Sequence, residues 1–83
     1  MNIYKVSRTD DWSYDDYSDI IVIAETPEIA LRLTPDGKYQ EDDESLWNNY
    51  SWPNHRKHLT VRLIGTATDG SVQGVIMGSF HAG

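Results

Sequence analysis

The chain has no cysteine. Neither a disulfide nor a thiolate metal site can staple it, and the absence fits a protein kept in a reducing cytoplasm. It has no long apolar run. The longest, Ile20 to Ala24, falls far short of the roughly 20 residues that span a bilayer. The opening Met1 to Asp10 lacks the apolar stretch of about 7–15 residues that marks a secretory signal. Basic residues are scarce, 7 against 13 acids, for a net charge of −6. Such a balance repels nucleic acid and anionic membrane, so neither is an expected direct partner. A basic protein surface, including that of a nucleic-acid-binding protein, is favoured instead.

Catalytic motifs are missing too. Gly70-Ser71-Val72-Gln73-Gly74 places its serine one position too early for a nucleophile elbow. There is no phosphate-loop lysine and no G-x-G-x-x-G. The acidic runs lack the alternating oxygen-ligand pattern of a calcium loop. His55 and His58 are three apart, but Pro53 and the strand expected from His58 argue against the helix that would join them on one metal. Asp15 and Asp16 would need a dry pocket to serve as an acid–base pair, and a segment this charged is wet. The expectation is a non-enzymatic protein with no cofactor and no metal.

What the chain does have is a segment of unusual chemistry. Thr9 to Asp19 reads T-D-D-W-S-Y-D-D-Y-S-D. Asp10, Asp11, Asp15, Asp16 and Asp19 alternate with Trp12, Tyr14 and Tyr17. A solvated loop has no need of three large rings, and a core has no room for five carboxylates. Tryptophan and tyrosine carry much of the energy at protein interfaces, so this segment reads as a surface built to bind. A second acidic run, Glu41-Asp42-Asp43-Glu44, could add to it as a local mimic of backbone phosphates. The one basic cluster is His55-Arg56-Lys57-His58.

The remaining pattern gives the fold. The 83 residues make one domain spanning 1–83. Ile3 to Ser7 alternates as a strand, with Tyr4 and Val6 on one face. Asp19 to Glu25 encloses five apolar residues, which suits a central strand buried on both faces. Thr26-Pro27-Glu28 starts a helix: threonine caps, proline fits the first position, and glutamate favours the positive end. Ile29, Ala30 and Leu33 share its face, and Pro35 ends it within two turns. Pro35-Asp36-Gly37 is a turn. His58 to Thr68 and Val72 to Phe80 read as two further strands, joined through Asp69-Gly70 as a hairpin. Gly74 and Gly78 suggest a bulge or a close backbone approach. The class is α+β, ordered β-β-α-β-β, with a four-stranded antiparallel or mixed sheet. One short helix covers one face, and a long loop occupies 38–57. Trp47 and Trp52 in that loop are expected to fold inward and to cover part of the other face. If they do not, that face is open to a partner or a second copy.

The opening M-N-I-Y-K-V-S-R-T-D, the Tyr14-Asp15-x-Tyr17 pair, the passage Ile21-Val22-Ile23-Ala24-Glu25-Thr26 and the ending from Gly74 to Gly83 resemble a group of short bacteriophage and prophage proteins. The group's ending tends to read G-V-I-x-A-S-F-N-A-G, from which Gly78 and His81 depart. The match covers both ends and the first half of the chain, and leaves 38–57 unmatched. It implies a context rather than an activity. Small acidic phage proteins without catalytic motifs often block host machinery, CRISPR and other defence complexes included, in the bacterial cytoplasm. The first expectation is therefore an inhibitor that docks Thr9–Asp19, with Glu41–Glu44, into a basic site. The alternatives are a homodimeric binder of a nucleotide-like anion, with a pocket of Trp47, Trp52, His55 and Arg56, and a virion component.

Overall fold

The computed structural model describes residues 1–10, 16–40, 52–53 and 56–81, with the side chains of Asp16, Arg56, Phe80 and His81 left aside. Four strands form one sheet: β1 (Asn2–Arg8), β2 (Asp16–Ala24), β3 (Leu59–Thr66) and β4 (Gly74–His81). Helix α1 (Pro27–Leu31) follows β2 and is the one α-helix among the described residues. A 3-10 turn at Arg56–His58 leads into β3.

The strand order is β3-β1-β2-β4, and every pairing is antiparallel. The α+β class and its four-stranded sheet thus match the sequence reading. The hairpin between the last two strands does not. Thr68 to Ser71 does turn, with the Ser71 N–H donating to the Thr68 carbonyl at 3.1 Å and Gly70 at φ +88°. Yet β3 and β4 lie on opposite edges of the sheet. Turn chemistry is local, whereas the choice of strand partner is made by the apolar faces. The β1–β2 pair supplies Tyr4, Val6, Ile20, Val22 and Ala24 to the buried core and takes the centre.

The core lies on one face of the sheet. Tyr4, Val6, Ile20, Val22 and Ala24 are buried there, because register pairs Tyr4 with Val22 and Val6 with Ile20. Ala30 from α1, then Leu33, Leu59 and Trp52, close over them. The opposite face of β2 carries Ile21 and Ile23, both only half-buried. The expectation of a strand buried on both faces is corrected accordingly: one helix can cover only one side. Trp52 folds inward as expected, but onto the helix side, so it does not cover the other face. Trp47 lies outside the described residues.

Helix α1 starts as its sequence dictates. Thr26 is extended, and its hydroxyl accepts from the Ile29 N–H at 3.2 Å, with Pro27 opening the first turn. The chain then leaves the helix at Arg32 and folds Leu33 back beside Tyr39. The turn between them is Thr34-Pro35-Asp36-Gly37, closed by the Gly37 N–H donating to the Thr34 carbonyl at 2.9 Å. Gly37 sits at φ +85°, where a side chain would be strained. Thr34 is buried at this bend, its hydroxyl against the Asp36 carboxylate and the Lys38 carbonyl.

Candidate protein-interaction surface

The acidic-aromatic segment joins the two central strands at one end of the sheet. Its stems are fixed by a residue that composition alone does not single out. Tyr4, Val6 and Arg8 alternate on the inner face of β1, so the third in the series carries a guanidinium to the rim of the core. That side chain is only 7% exposed. Its Nε donates to Asp10 Oδ1 at 2.7 Å and its Nη2 to Asp10 Oδ2 at 3.1 Å. Its Nη1 donates to the Tyr17 carbonyl at 3.2 Å. One fork therefore holds the outgoing stem through Asp10 and the returning stem through Tyr17. Bidentate arginine–carboxylate pairs of this kind combine strength with fixed geometry.

The clamp sets the local electrostatics. The Arg8 hydrogen bonds hold the Asp10 carboxyl below its usual range, against the opposing pull of partial burial; the Arg8 charge and nearby His58 add to the lowering. The outgoing stem is also tied sideways, because the Thr9 N–H donates to the His58 carbonyl at 2.7 Å. The basic run therefore meets the root of the acidic segment. Lys57 is exposed beside it.

The expected binding residues separate into distinct environments. Asp10 is engaged within the fold. Asp16 opens β2, pairing in register with His81, so the segment expected as a loop to Asp19 becomes strand three residues earlier. Tyr17 is half-buried and packs against the core, with its ring over Gly78. A Cβ built at Gly78 would stand 2.7 Å from Tyr17 Cε1, so the glycine makes the room that the ring occupies. Asp19 is on the outer face, 3.7 Å from Lys5 Nζ. Asp11, Trp12, Tyr14 and Asp15, the acidic run Glu41, Asp42, Asp43 and Glu44, and Trp47 and His55 all lie outside the described residues.

Of the alternative ligand pocket, Trp52 is 2% exposed and belongs to the core, and Arg56 begins the 3-10 turn. The Trp52 indole N–H is buried without a hydrogen-bond partner among the described residues. The described residues bring no three potential metal ligands together. They form no helix long and apolar enough to cross a membrane. A shallow groove lined by Thr26, Pro27, Glu28 and Leu31 sits beside α1, at the other end of β2 from the acidic segment.

The residue that sequence reasoning missed is Arg8. Its signal was present: an arginine continuing the buried Tyr4–Val6 alternation, followed two residues later by an aspartate. A further feature is the outer face of the sheet, where Ile3, Ile21 and Ile23 are half-buried and Met77 is 66% exposed. Lys5 and Arg62 stand opposite one another there in register. No protein-family model, curated protein or solved structure matches this chain.

Proposed function

We propose that the chain works by binding rather than by catalysis, and that the 9–15 connection engages a basic surface on a host protein. The observation that carries this reading is the Arg8 clamp, which anchors both stems of a short, aspartate- and aromatic-rich connection to the two central strands. Binding residues are commonly placed on loops held by a rigid scaffold, and fixing the stems in advance lowers the ordering cost of association. Asp11 and Asp15 would steer the encounter, and Trp12 and Tyr14 would anchor it. Tyr17 passes from anchor to support, since its ring packs inward.

The resemblance to phage proteins adds a context in which the partner is a bacterial defence complex, CRISPR-type or other, met in the host cytoplasm. The rival anion pocket needs the Trp52 ring to face a ligand, and its place in the core does not favour that.

The test is an affinity capture from bacterial lysate comparing the native chain with a Trp12→Ala/Tyr14→Ala variant. One host protein held by the native chain and lost by the variant is the expected outcome. Its affinity should fall as salt rises from about 50 to about 300 mM, as screening of exposed charge requires. Equal capture by both chains, or an affinity indifferent to salt, would sink the reading.

A further inference from the structure

The chain holds two Asp-Gly steps, Asp36-Gly37 and Asp69-Gly70. Such a step is poorly shielded from its own side chain, because glycine puts no Cβ beside the amide nitrogen that the carboxyl can meet. The fold treats the two differently. At the first, the Gly37 N–H donates to the Thr34 carbonyl at 2.9 Å. The Asp36 carboxylate accepts from the buried Thr34 hydroxyl and lies 3.8 Å from Lys38 Nζ. Both groups that would have to react are already engaged.

The second step lies in the connection from β3 to β4. That turn is closed by its outer residues: the Ser71 N–H donates to the Thr68 carbonyl at 3.1 Å, and the Ser71 hydroxyl donates to the same oxygen at 2.7 Å. Asp69 and Gly70 between them are exposed. Neither the Asp69 carboxylate nor the Gly70 N–H has a hydrogen-bond or ion-pair partner among the described residues. A Cβ built on Gly70 would meet nothing within 4 Å, so a ring closing there finds open space.

We propose that Asp69-Gly70 is a site of spontaneous isomerisation to isoaspartate, from which the fold protects Asp36-Gly37. In the first step the Gly70 nitrogen bonds to Asp69 Cγ, and the carboxyl hydroxyl leaves with the amide proton as water. In the second, water opens the resulting succinimide. Cleavage between the ring nitrogen and the Asp69 backbone carbonyl carbon leaves Gly70 joined through Cγ, whereas cleavage at Cγ restores aspartate. One water leaves and one returns, so nothing is oxidised or reduced. The product keeps its negative charge and carries one extra methylene in the main chain of the turn. Anchors on both sides contain that change: the Ala67 N–H donates to the Met1 carbonyl at 2.9 Å, and Gly74 pairs with Ile23. The proposal is independent of the function proposed above.

The experiment incubates the full chain at neutral pH, folded and in urea, and locates isoaspartate by tryptic digestion and fragmentation mass spectrometry. Trypsin places the two steps in separate peptides, Leu33–Lys38 and Leu63–Gly83. In the folded chain isoaspartate should form at Asp69 at least about tenfold faster than at Asp36, a difference of about 1.4 kcal/mol, because Asp36 and Gly37 must first give up hydrogen bonds. In urea, which removes that protection, the two rates should converge. Asp69→Glu, whose longer side chain must close a slower six-membered ring, should abolish the product at this position with the far-ultraviolet circular dichroism unchanged. No isoaspartate at Asp69 in the folded chain, a folded-chain ratio below about tenfold, or a ratio that survives urea would overturn the proposal.

Discussion

Replacing Asp10 by asparagine or alanine tests the clamp. The Arg8 side chain is 7% exposed and Asp10 is 28% exposed, so the pair sits at the rim of the core, open to water on one side. A hydrogen bond to a charged group is worth about 1.5–3 kcal/mol, and stranding a fully buried charge costs about 3–5 kcal/mol. Partial solvent access puts Asp10→Ala at about 2–3 kcal/mol. Asp10→Asn keeps an accepting oxygen and should cost about half as much. For a domain of this size about 1 kcal/mol moves Tm by about 4–8 °C, so alanine should lower it by about 10–20 °C near pH 7.

The pH dependence supplies a second constraint. The folded Asp10 carboxyl lies below its ordinary value of 3.8. Its stabilisation is therefore complete above that value and disappears as pH falls through the lower, folded one. The Tm gap between the native chain and Asp10→Asn should stay flat from about pH 7 to about pH 5 and narrow below about pH 4. A thermal scan followed by circular dichroism measures both. An alanine variant within about 3 °C of the native chain at neutral pH, or a gap that persists in acid, would refute the clamp's energetic role.

Other outcomes follow from single contacts. Gly78→Ala places a Cβ 2.7 Å from the Tyr17 ring and should cost about 1–3 kcal/mol in urea unfolding, the usual penalty of overpacking. Thr26→Ala removes the hydroxyl that accepts from the Ile29 N–H and should cost about 1 kcal/mol by the same assay. Trp52→Phe removes a buried N–H that has no partner among the described residues. Part of the lost packing should thus be offset, and the variant should lie well above Trp52→Ala, for which about 3–5 kcal/mol is expected.

Much of the fold was legible because its signals are local. The Tyr4–Val6 alternation, the Thr26-Pro27 cap and the Pro35-Asp36-Gly37 turn each depend on neighbours in the chain, and each is found where the residue pattern places it. Strand order was not legible. Asp69-Gly70 does mark a turn, but nothing in a turn states whether its two arms will pair. The site was half legible for a related reason. Aspartate and tyrosine identities show that Thr9–Asp19 is unusual, yet its division into clamp, strand and connection depends on Arg8 facing the core and on Gly78 admitting the Tyr17 ring. Both are contacts across the sheet. The alternation places Arg8 on the Tyr4–Val6 face, but only the fold shows that its guanidinium reaches the Tyr17 carbonyl.

The order β3-β1-β2-β4 also governs when the molecule can form. The central pair is a hairpin from the first third of the chain, and both flanking strands come from its last third. The hairpin can close early over a short loop, whereas Arg8 must await Leu59 and Asp16 must await His81. Distant closures cost more chain entropy and slow folding. A nascent chain emerging from a ribosome would therefore hold β1 and β2 as an unflanked pair, with Ile20 and Val22 still wet, until β3 and β4 had been made. Slowing translation after β2 should therefore increase loss to aggregation.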